Sequence, residues 1–106
     1  MNVKKELLFK IPKGLKIVAA QIIINFNYAH NRVDSIRTIN LKVNHSKEEL
    51  NNFLTELNFT YNHAYRGRAL DGILWLSDGS WLERDSDGIV EWWQRYAIPL
   101  IPKQLI

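Results

Sequence analysis

The residues with the means for chemistry crowd toward the C-terminal end of this 106-residue chain. Glu83, Asp85, Asp87 and Glu91 fall within nine residues of one another. Paired carboxylates can perform general acid–base work or hold a hard cation. These four surround an Asp87-Gly88 dipeptide, however, and acids so placed also form the solvated rim of a tight turn. We take the second reading. His30, His45 and His63 are scattered, and none has an i, i+4 histidine partner, so a zinc site would have to be assembled from separate loops. The chain has no cysteine, which excludes disulfides, thiolate metal sites and cysteine nucleophiles. It also lacks a phosphate-binding P-loop, a dinucleotide fingerprint and a nucleophile elbow. The expectation is a non-catalytic protein without cofactor or metal.

What remains is binding chemistry. The stretch "YNHAYRGRAL" sets Tyr61 and Tyr65 beside Arg66 and Arg68, combining flat rings with guanidinium groups. Surfaces for single-stranded nucleic acid use that combination, and so do the anchors of protein interfaces. The net charge is only +3, which is modest for a nucleic-acid binder and favours a protein partner over nucleic acid, while a tyrosine-rich loop packed on its own domain is an equal alternative to both. Basic residues outnumber the acids Glu6 and Asp34 in the first 45 positions, whereas the stretch after Asp71 is more acidic. That asymmetry can steer a charged partner. All four tryptophans, Trp75, Trp81, Trp92 and Trp93, lie within "ILWLSDGSWLERDSDGIVEWW". Large aromatics are mostly buried, so three of the four are expected in the core. The expected partner-binding set is Tyr61, Tyr65, Arg66, Arg68, Trp93 and Arg95.

These groups need a scaffold. A chain of this length and ordinary composition makes one domain with one core. "KKELLFKIP" alternates like a strand, with Leu7, Phe9 and Ile11 on one face. Residues 15–27 place Leu15, Val18, Ala19, Ile22, Ile23 and Phe26 at helical spacing, although the β-branched run would also suit a buried strand. "SIRTINLKV" alternates as a strand, with Arg37, Ile39, Leu41 and Val43 sharing a face. Ser46 and Glu49 form a capping box ahead of the stripe Leu50, Phe53, Leu54, Leu57, which predicts a helix over residues 47–57. Asp78-Gly79 and Asp87-Gly88 are hairpin signals, so residues 72–77, 80–84 and 89–96 are expected to form a three-strand meander. Pro99 and Pro102 make residues 97–106 an extended tail. The sum is an α+β domain, with two helices on one face of a mostly antiparallel sheet.

Two-residue turns would set Leu76 opposite Trp81 and Trp75 opposite Leu82, making both faces of the meander apolar. The second face is then either covered by the tail and the preceding loop or open as a docking surface. Trp92 and Trp93 must point to opposite faces. Trp93 is expected on the exposed side, because Trp92 shares a face with Val90.

The stretches "VDSIRTINLKVNHSKEELNNFLTELNFTY" and "DGILWLSDGSWLERDSDGIVEWWQRYAIPLIP" resemble a group of small proteins encoded on bacteriophages, prophages and plasmids. The shared pattern comprises Arg32 to Arg37, Glu48 to Leu50, Asp78 to Trp81 with Arg84, Asp87-Gly88 with Glu91-Trp92-Trp93, and Ile98-Pro99. The loop before the meander departs from it: acidic and glycine-rich in that group, it is basic and aromatic here. The resemblance implies an interaction protein of a mobile genetic element, acting in the bacterial cytoplasm on a host protein or ribonucleoprotein. One form of this is an inhibitor of a nucleic-acid-guided defence nuclease, that is, an anti-CRISPR activity. The alternative is a small single-stranded DNA- or RNA-binding regulator. The apolar stretches are too short to span a bilayer or to serve as a signal peptide.

Overall fold

The computed structural model describes residues 2–25, 36–61 and 69–106. It shows an α+β domain in which a five-stranded antiparallel sheet, ordered β2-β1-β3-β4-β5, carries two helices on one face. The elements are α1 (Val3–Lys10), β1 (Ile17–Asn25), β2 (Ile36–Leu41), α2 (Lys47–Glu56), β3 (Leu70–Leu76), β4 (Trp81–Ser86) and β5 (Glu91–Tyr96). A short 3₁₀ turn, Lys103–Leu105, closes the chain.

The first two elements exchange the types expected of them. Residues 3–10 are helical because Asn2 caps them: its side chain accepts a hydrogen bond from the Lys5 amide at 3.0 Å. Val3 and Leu7, four apart, are the pair that α1 buries, whereas Phe9 of the supposed strand face is 86% exposed. Two further helix amides are satisfied from a distance. Val3 and Lys4 donate to the carbonyls of Phe59 and Leu57, just beyond α2, at 2.9 Å each.

Residues 17–25, expected within a helix, are the interior strand β1, paired with both β2 and β3. Ala20, Ile22 and Ile24 point to the core, while Gln21 and Ile23 take the other face. Ala19 and Ile23 of the other face alternate with the core residues, and that mixture mimics helical spacing. The stiff β-branched side chains decide for the strand.

α2 starts where its capping box requires. Ser46 Oγ accepts from the Glu49 amide at 3.1 Å, and Glu49 Oε1 accepts from the Ser46 amide at 3.0 Å. Phe53 and Leu57 then enter the core with Val3, Leu7, Leu74, Leu82 and Trp93.

The meander is present with a different first turn. Trp75 pairs with Trp81 and Leu74 with Leu82, one residue away from the expected register. The loop therefore has three residues, Ser77, Asp78 and Gly79. Gly79 takes the left-handed conformation at φ +86°. Asp78 does not need positive φ, because its carboxylate stabilises the turn by accepting from the Ser80 amide at 2.9 Å. In the second hairpin Gly88 has φ +93°, and Asp87 Oδ1 accepts from the Ile89 and Val90 amides, each at 2.9 Å.

Candidate functional site

A one-residue change of register carries alternate side chains to opposite faces. Leu74, Leu76, Leu82 and Trp93 lie under the helices. Trp75, Trp81 and Tyr96 form a row across β3, β4 and β5 on the other face. The next row holds Asn40, Gln21, Ile73, Glu83 and Gln94. Ile23 pairs with Asp71, and Asp85 with Trp92, on the same side.

Neither described helix covers this face. Trp75 is 43% exposed and Tyr96 37%, and Trp81 and Trp92 are half-buried. Trp81 and Tyr96 stack with ring centres 6.1 Å apart at 19°. Polar partners fix the rings. Trp81 Nε1 donates to Glu83 at 2.9 Å, and the Tyr96 hydroxyl donates to Asp85 at 2.6 Å. That bond, made by the neutral phenol, pushes the Tyr96 pKa above the ordinary tyrosine range. Gln21, Ile23, Asp71, Ile73, Trp75, Glu83 and Asp85 line a shallow groove here. The face is thus an ordered aromatic platform studded with the carboxylates of Asp71, Glu83 and Asp85.

The second cluster of titratable groups is buried. Arg84, with no exposed side-chain surface, donates through Nε to Glu91 at 2.9 Å, through Nη1 to Glu6 at 2.9 Å and through Nη2 to the Tyr61 hydroxyl at 2.6 Å. Its guanidinium also lies 5.3 Å from the centre of the Trp93 ring. Glu91 accepts in addition from the Ala69 and Leu70 amides at 2.8 and 3.1 Å. Burial alone would lower the arginine pKa, but Glu6, Tyr61 and Glu91 outweigh it and hold the pKa above the usual value. Burial pushes the Tyr61 phenol up to about 12. These groups join α1, Tyr61, the start of β3, β4 and β5 into one structural unit.

The expected binding set is dispersed. Trp93, expected to be exposed, is 1% exposed, because the register of β4 and β5 sets it opposite Arg84 on the core face. Tyr61 is buried too, with its hydroxyl on Arg84. Arg95 is exposed but paired with Asp78 at 2.8 Å, beside the first hairpin loop. Tyr65, Arg66 and Arg68 lie outside the described residues. Nor are three tryptophans fully buried: only Trp93 is. The rule that Trp92 and Trp93 diverge holds, with their faces exchanged. Knowing that the first hairpin has a three-residue loop would have put Trp75 and Trp81 on one face.

Among the described residues no group of three His, Asp or Glu side chains is placed to hold a metal ion. His45 Nδ1 instead lies 2.8 Å from the Lys42 carbonyl. No described helix is long and apolar enough to cross a membrane. Comparison with family models, with curated proteins and with solved structures found no match.

Proposed function

We propose that this chain is a non-catalytic interaction protein of a mobile genetic element, and that its partner docks on the open sheet face. The row Trp75, Trp81, Tyr96 carries the reading. Aromatic rings set side by side on one sheet face, Trp81 and Tyr96 held by hydrogen bonds and Trp75 and Tyr96 exposed, are the usual anchors of protein interfaces.

The acids on the platform select among partners. Aromatic sheet faces also stack nucleic-acid bases, but such surfaces pair their rings with cations. Asp71, Glu83 and Asp85 would repel a phosphate backbone, which disfavours the single-strand-binding alternative. A partner with a basic, partly apolar surface fits. Nucleic-acid-guided nucleases hold their guide duplex in a positively charged channel. An acidic aromatic face could occupy such a channel in place of nucleic acid, so inhibition of a defence nuclease is the form of interaction we propose.

A pull-down from bacterial host lysate, with and without nuclease treatment, tests this. The expected result is a partner that survives nuclease treatment and is lost by Trp75→Ala or Glu83→Lys. Neither side chain belongs to the buried core, so both variants should still fold, which a cooperative melting transition would show. Loss of an anchor worth about 2 kcal/mol weakens binding more than tenfold. Capture that vanishes with nuclease, or that ignores both substitutions, would defeat the reading.

A further inference from the structure

The C-terminal segment offers the open face an occupant. β5 ends at Tyr96, and beyond it Ile98, Leu100, Ile101, Leu105 and Ile106 are between 66% and 92% exposed. So many exposed large apolar side chains in one short segment call for a cover. The segment contains Pro99-Leu100-Ile101-Pro102, and Pro102 sits at φ −61°, ψ 147°, in the polyproline II region. Pro-x-x-Pro segments in that conformation dock on aromatic-lined grooves, because little chain entropy is left to lose.

We infer that residues 98–103 of one copy lie across the open face of a second copy, and the reverse, forming a two-fold tail-exchanged dimer. Two properties match. The face presents Trp75, Trp81 and Tyr96 to proline and leucine side chains. Its acids Asp71, Glu83 and Asp85 complement Lys103, the only charged side chain in residues 97–106. In its own molecule the segment leaves the sheet at the end of β5 with its apolar residues exposed, so the cover comes from a neighbour. Exchange between two copies closes the assembly, because each supplies one tail and one face. The inference rests on reading the open face as a docking surface and adds its regulation: a partner must displace the neighbour's tail.

Sedimentation of the purified full chain over a concentration series is the test. The expected result is a dimer that dissociates on dilution, and monomers for Leu100→Glu and for Trp75→Ala. Mixing those two variants should regain mixed dimers, since one intact tail then meets one intact face. A synthetic peptide of residues 97–106 should shift the tryptophan emission of the Leu100→Glu protein and bind the Trp75→Ala protein at least about tenfold more weakly. Leu100 is 92% exposed, so its substitution leaves the fold intact. A wild-type chain that is monomeric throughout, a dimer indifferent to Leu100→Glu, or a peptide that fails to bind overturns the inference. The two readings fail separately. The Leu100→Glu monomer keeps its open face and should still capture the lysate partner if only the dimer is wrong. A dimer without capture would sink only the proposed function.

Discussion

Arg84 shows how one buried charge can organise a small core. Its side chain is fully buried against Glu6 and Glu91, and it also meets the Tyr61 hydroxyl and the Trp93 ring. Removing one partner of such a group leaves the others charged in a poor solvent. Arg84→Met should therefore cost about 3–5 kcal/mol in urea unfolding, far more than a surface arginine would. A loss below about 1 kcal/mol would mean that the carboxylates find other partners. Tyr61 makes a pH prediction from the same network. Burial, opposed by Arg84 but reinforced by Glu6 and Glu91, raises its pKa from 10.0 to about 12. The folded state thus prefers the neutral phenol. That preference stabilises fully below the unfolded pKa of about 10 and is lost as pH rises through about 12. Tyr61→Phe cannot titrate, so its stability deficit relative to wild type should shrink across this window. Parallel stability curves for the two proteins would remove tyrosine ionisation as the cause. Nothing in the sequence around Tyr61 and Arg84 signals the network, because its members are joined only by the folding of distant strands.

At the scale of elements, legibility followed the range of the forces. α2 and both glycine turns are set by groups a few residues apart, and all three form at the expected residues, the first turn with a three-residue loop in place of two. Ser46→Ala should lower stability by about 1 kcal/mol in thermal unfolding, the usual value of an N-cap; an unchanged melting curve would leave the capping bonds without consequence. α1 and β1 were exchanged in type because both depend on what surrounds them. The α1 amides are completed by carbonyls beyond α2, and β1 is held as a strand by pairing with β2 and β3, both distant in sequence. The register of the first hairpin turned on a single loop residue, and with it the faces of the aromatic site. Gly72 is a further feature that spacing concealed. It stands at φ +133°, and a Cβ there would lie 2.1 Å from the Gln21 carbonyl oxygen on the neighbouring strand. Gly72→Ala must push β1 and β3 apart or strain the backbone, at about 1–3 kcal/mol or more. Amide exchange should show the opening concentrated along the β1–β3 ladder. Uniform protection equal to wild type would contradict the close approach.

For the molecule as a whole, the sign of the field over the open face decides what can approach it. The net charge is +3, so from a distance the protein attracts anions. Among the described residues the balance reverses close to the face, because Asp71, Glu83 and Asp85 share it with Trp75, Trp81 and Trp92. Ionic quenchers of tryptophan emission read this local potential directly. If the field of the whole protein dominated, iodide would quench these rings better than caesium after correction for their intrinsic efficiencies. The placement of the carboxylates predicts the opposite, a caesium preference at low ionic strength. That preference should fade as the screening length shrinks from about 30 Å at about 0.01 M salt to about 3 Å at about 1 M. Trp93, buried on the helix-covered face, should resist both ions and supply the residual emission. Glu83→Gln should weaken the caesium preference without altering the residual fraction, since the residue sits among the open-face rings and not in the core. An iodide preference in the wild-type protein would mean that cations command the platform, and the docking of a basic partner would then have no electrostatic basis.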